Sequence, residues 1–141
     1  MKETYKQMKE RHEKEVNDLP IMFAFSDEQF KEGMRKLGLE QTDYDKIYSL
    51  GAGGYYRRED SDMIHDCFKR HNQEMKEAMK DERFATSAFR YELANYEYCF
   101  TMDPLDAVYA VGLSMEEVQN SEMLSRALKN AKREYLSACD F

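Results

Sequence analysis

A chain of 141 residues with 28 Asp and Glu against 21 Lys and Arg, net charge −7, is not built to hold nucleic acid by its phosphates, because that takes a basic patch. Hydrophobic residues at 42% and charged residues at 35% exclude a wholly disordered chain. No apolar run approaches the roughly 18 residues of a membrane span.

Three widely spaced cysteines, Cys67, Cys99 and Cys139, without a CxxC, are expected to be free thiols. The start MKETYKQMKERHEKE has no apolar segment of a secretory signal, so a cytoplasmic location is expected.

In chain order, Glu3 to Asn17 has alternating charge and a thin stripe, Tyr5, Met8, His12 and Val16. A stripe this thin predicts an N-terminal helix over 1–18 that packs loosely or swaps onto a second copy as a dimer arm. Pro20 ends it, and Ile21 to Phe25 forms a short apolar run expected to be a buried strand. Ser26-Asp-Glu-Gln29 is a capping box opening a helix with Phe30, Met34 and Leu37 inward and a stop at Gly38. Ile47 to Leu50 suggests a second strand. Gly51-Ala52-Gly53-Gly54 then leads through Tyr55, Tyr56, Arg57 and Arg58 either into a third strand or up to the next helix.

That helix is expected from about Asp62 to Lys80, with Ile64, Cys67, Phe68, His71, Met75 and Met79 on its buried stripe. The central helix follows, from about Arg83 to Tyr98. Phe89, Leu93, Tyr96 and Phe100 recur at i, i+4, i+7 and i+11 on one face, and Phe84, Tyr91, Ala94 and Tyr98 lie on roughly the other. Apolar on two sides, it should be the centre of the core. Thr101-Met-Asp-Pro104 stops and restarts the chain, with proline in a first turn. A short helix runs from Leu105 to Val111, Ser114 to Glu117 is a second capping box, and Ser121 caps a last helix carrying Leu124, Leu128, Ala131 and Tyr135. The fold class expected is α+β over a single domain, 1–141: predominantly helical, five to six helices, with a small two- or three-stranded antiparallel sheet.

Each candidate site has an ordinary structural alternative. Gly51, Gly53 and Gly54 with Tyr55, Tyr56, Arg57 and Arg58 can cradle an anion through backbone N–H groups and guanidinium forks. There is no P-loop or GxGxxG pattern, and a hairpin turn needing positive φ explains the glycines more simply. Cys67 and His71 have metal-ligand spacing on one helix but no evident further ligands, and both lie on the apolar stripe. Neither a metal, a cofactor nor a catalytic residue is expected. The clearest lead is charge: from Tyr91 to Ser125 the chain has Glu92, Glu97, Asp103, Asp106, Glu116, Glu117 and Glu122 and no Lys or Arg. Such a row can be a plain solvated face, or it can imitate a line of phosphates toward a basic groove on another protein.

The stretches PIMFAFSDEQFKEGMRKLGL, KIYSLGAGGYYRREDSD and RYELANYEYCFTMDPLDAVYAVGLSMEEV, with the ending RALKNA, resemble a family of small acidic proteins carried by phages and conjugative elements of low-GC Gram-positive bacteria. The resemblance covers nearly the whole chain and brings no active site with it. It implies a setting in which small acidic proteins act as counter-defence factors of anti-CRISPR or anti-restriction type. The expected function is inhibition of a bacterial immune nuclease by protein–protein binding through Glu92, Glu97, Asp103, Asp106, Glu116 and Glu117. The alternative is small-ligand or nucleotide binding at the Gly51–Gly54 loop.

Overall fold

The computed structural model describes residues 2–139. Among them are eight α-helices and three strands: α1 (Tyr5–Asn17), β1 (Ile21–Phe23), α2 (Asp27–Lys36), β2 (Ile47–Gly51), β3 (Gly54–Arg57), α3 (Ser61–Ala78), α4 (Glu82–Asn95), α5 (Tyr98–Thr101), α6 (Leu105–Ala110), α7 (Met115–Gln119) and α8 (Glu122–Ala138). The class is α+β and predominantly helical, with more helices than expected. The chain divides into two units, and the boundaries fall inside α1 and α3. One runs up to Arg11 and resumes at His71; the other is His12–Arg70.

In the His12–Arg70 unit the three strands form an antiparallel sheet in the order β1-β3-β2. Ala52 (φ 50°) and Gly53 (φ 81°) turn the chain between β2 and β3, the two-residue, double-positive geometry that follows the twist of a hairpin. Met22 and Ile47 pack with Met34 and Leu37 of the α2 segment, with Phe30 and Tyr55 against them. Gly33 is there because α2 lies close on β1: a Cβ at that position would come within 2.5 Å of the Met22 sulfur. Ser26 caps α2 by accepting from the Gln29 N–H at 3.2 Å, and the Gln29 side chain accepts in return from Phe25 N–H at 2.7 Å. β1 is not the buried strand its sequence suggests. As an edge strand it buries only Met22, and Phe23 and Phe25 are exposed.

In the other unit, α4 and α8 pack along their lengths over Ala85, Ala88, Phe89, Leu93, Ala127, Leu128 and Ala131, with Val108, Val111 and Val118 closing the core. Tyr5 of α1 belongs to the same cluster. The central helix stops short of its expected end near Tyr98, and its stripe does not reach Phe100. It ends at Tyr96, Glu97 takes a left-handed conformation (φ 54°), and the single turn of α5 ends on a second left-handed residue, Met102 (φ 55°). The break exchanges one aromatic for another. Tyr98 enters the core and meets Tyr135 at 6.4 Å between ring centroids, whereas Tyr96 and Phe100 leave the Phe89–Leu93 stripe and face solvent.

Candidate functional site

The six carboxylates expected to meet a partner have different environments. Glu92 is not on the surface at all: it is 0% exposed. One of its oxygens accepts from the Tyr5 hydroxyl and, at 2.8 Å, from Lys9; the other accepts from the Asn95 amide at 3.1 Å. A buried charge needs such a set of donors, and the set makes Glu92 a core residue rather than a contact.

Asp103 and Glu117 are exposed but also hold the backbone. Asp103 accepts from the Leu105 N–H at 3.0 Å and so starts α6. Glu117 completes the capping box of α7: Ser114 accepts from its N–H at 3.1 Å, and its side chain accepts from the Ser114 N–H at 3.1 Å. Glu97, Asp106 and Glu116 are exposed, and among the described residues none has a side-chain hydrogen bond or an ion pair. Of the six, only Glu92 is paired with a base among the described residues, Lys9.

What charge counting missed is the company these acids keep. Between Tyr96 and Tyr109 five large apolar side chains are exposed: Tyr96 (43%), Phe100 (82%), Met102 (57%), Leu105 (36%) and Tyr109 (59%). Asp106 and Tyr109 lie three residues apart on the outward side of α6, opposite the buried Ala107 and Val108, and so are neighbours on that helix surface. Phe100 stays on the core stripe only if the helix continues past Glu97, and no local residue signals that it stops there.

The Gly51–Gly54 loop is the β2–β3 hairpin turn, and its two arginines are engaged locally. Arg57 bonds Asp60 at 2.8 Å and Glu59 at 2.9 Å; the Asp60 bond is the main reason its guanidinium holds its proton above the ordinary arginine range. Arg58 stacks over the Tyr48 ring at 4.6 Å. Tyr56 is buried and sits edge-on to His65; Tyr55 packs under Phe30. On α3, Cys67 is half-buried and His71 is buried, as their stripe positions require.

Fold and surface together define a small helical α+β protein that exposes Glu97, Asp103, Asp106, Glu116 and Glu117 in one stretch of sequence that also exposes aromatic and aliphatic side chains. The chain belongs to a family of unknown function (DUF7659), whose model matches residues 4–134. No curated protein and no solved structure matches it.

Proposed function

We propose that the protein is a non-enzymatic binding protein whose contact surface lies along residues 96–117 and whose partner offers a basic groove with apolar footholds. The observation that carries this is the coincidence of Glu97, Asp106 and Glu116 without partners and five exposed apolar side chains in the same stretch. Where exposed apolar groups form a contiguous patch, the patch marks an interaction site. They supply anchoring by desolvation, while the unpaired carboxylates speed the approach of a cationic partner and reject anionic ones. A groove evolved to hold nucleic acid is basic, and so the partner class proposed is a bacterial immune nuclease. The setting proposed is a phage or conjugative element acting in the host cytoplasm, as a counter-defence inhibitor.

Purified protein is expected to slow DNA cleavage by a host restriction or CRISPR nuclease. Two variants separate the contributions: Glu97→Lys/Asp106→Lys/Glu116→Lys reverses the free charges, and Phe100→Ala/Tyr109→Ala removes two exposed rings. Each should lose inhibition while keeping the wild-type circular dichroism spectrum. A triple charge reversal that inhibits as well as the parent overturns the proposal.

A further inference from the structure

Between α4 and α8 of this acidic chain, arginines outnumber carboxylates. Along α4, Arg83, Ser87 and Arg90 follow one another at i, i+4 and i+7, on a single side of the helix. They meet α8 residues Asn130 and Arg133 across an open groove of about 390 Å³. Arg126 lies one turn before Asn130 on α8. All the basic residues of α4 are in this seam.

Two carboxylates bond or face these four guanidinium groups, and Glu122 adds a weaker attraction at Arg126. Glu82 is bonded by Arg126, and the Arg126 bond holds its carboxyl below the ordinary range. Glu134 faces Arg90 at 3.8 Å, with both side chains nearly half exposed. A pair so long and so wet is weak, and Arg90 can leave it for a better acceptor at little cost. Arg83 has no carboxylate partner among the described residues, and Arg133 touches only the Asn130 side-chain oxygen, at 3.0 Å. That contact leaves the Asn130 NH₂ as a donor, and the exposed Ser87 hydroxyl has no hydrogen-bond partner among the described residues. The groove therefore offers guanidinium forks from both walls, an amide N–H and a hydroxyl as donors, beside the Glu82 and Glu134 carboxylates that also line it, in a chain of net charge −7.

We infer that the α4–α8 seam is an anion site for a compact phosphate-bearing molecule, with Arg83 and Arg133 as its primary ligands and Arg90 joining them on binding. Guanidinium forks match phosphate oxygens two at a time. The volume falls at the low end of small-molecule sites, roughly 300–1,000 Å³, which suits a diphosphate or a nucleotide and not a duplex. This site does not depend on the docking proposed for residues 96–117.

The test is a heteronuclear NMR titration of the full chain with inorganic pyrophosphate and, separately, with ADP, at physiological ionic strength, where diffuse surface attraction is screened. The expected result is saturable shifts at the Arg83, Arg90 and Arg133 Nε–H signals and at the Asn130 side chain. Equal affinity for the two probes assigns recognition to the diphosphate alone; tighter ADP binding adds a nucleoside contact; either supports the site. Arg83→Ala/Arg133→Ala, both exposed positions, should weaken binding at least about tenfold, or 1.4 kcal/mol. Arg57→Ala/Arg58→Ala should leave it unchanged. Absence of saturation with both probes, retention of affinity in the Arg83/Arg133 variant, or its loss in the Arg57/Arg58 variant overturns the inference.

Discussion

Tyr5 donates its hydroxyl hydrogen to Glu92 across 87 residues of sequence, with both side chains inside the core. Burial first, and the bond to Glu92 second, raise the tyrosine pKa beyond its ordinary range, which favours the protonated, donating hydroxyl. Lys9, one turn further along α1 and 34% exposed, reaches the same carboxylate. The first turns of α1 are thereby tied to α4. Tyr5→Phe removes one of three donors and should cost about 1–2 kcal/mol. Lys9→Met strands a buried charge and should cost roughly 3 kcal/mol, the low end for a broken buried pair because water can reach the vacated place. Urea unfolding of the two single variants and the double variant measures both. An additive cycle, or a Lys9→Met cost below about 0.5 kcal/mol, means that α1 hardly engages.

Acid should loosen the start of α4 before the rest. Asp81 caps that helix by accepting from the Arg83 and Phe84 N–H groups and also bonds Lys2; the Lys2 bond, then the Phe84 N–H, lowers its carboxyl pKa. Glu82 is lowered by its bond from Arg126. A carboxyl whose folded pKa lies below its unfolded value stabilises the fold above the ordinary carboxylate range. It loses that contribution as pH falls through the folded value. The melting temperature should therefore hold steady from neutral pH to the ordinary carboxylate range and fall below it. Asp81→Asn keeps a capping oxygen without the charge, and with Glu82→Gln it should flatten the fall. An equally steep acid limb in that double variant would assign the loss elsewhere.

Glu117 can be tested as a charge and as a cap separately. Glutamine serves the third position of a capping box as well as glutamate does. Glu117→Gln should therefore leave stability within a few tenths of a kcal/mol and lower only the on-rate for a basic partner. Ser114→Ala removes the reciprocal acceptor and should cost about 1 kcal/mol, with partner affinity unchanged once the folded fraction is corrected for. Glu117→Lys mixes both effects and does not discriminate. Stopped-flow association beside thermal melts separates them; a stability loss in Glu117→Gln as large as in Ser114→Ala would reject the assignment.

Local rules carried the sequence a long way, because caps and turns are short-range. Ser26, Ser114 and Ser121 each start the helix expected of them, and Gly38 and Gly112 follow helix ends with positive φ. The central stripe failed at a single backbone angle. Nothing in Tyr96-Glu97-Tyr98 favours a left-handed residue, and the preference for Tyr98 over Phe100 comes from packing with Tyr135 on a distant helix. Glu92 is the instructive error. Helical spacing sets it three residues after Phe89 and beside Leu93, on the buried face. Counting it with the surface acids ignored that position, although its partners Tyr5 and Lys9 lie too far away in sequence to be read. The arginine seam was invisible for a similar reason, since it forms only when α4 and α8 are side by side.

The hairpin turn gives opposite predictions for adjacent residues. Ala52 and Gly53 both have positive φ, and a left-handed conformation costs an ordinary L-residue roughly 1–2 kcal/mol. Ala52 bears that strain now. Asparagine tolerates the conformation and is favoured in this turn, so Ala52→Asn should raise stability by about 0.5–1 kcal/mol. Gly53→Ala adds the strain instead and should lower stability by about 1 kcal/mol or more. Its new Cβ would also lie 2.6 Å from the Phe25 ring, but that ring is 77% exposed and can swing aside, so the dihedral decides the sign. Urea midpoints at unchanged slope read both effects. If the two substitutions shift the midpoint in the same direction, the β2–β3 connection does not have the double-positive geometry on which both predictions rest.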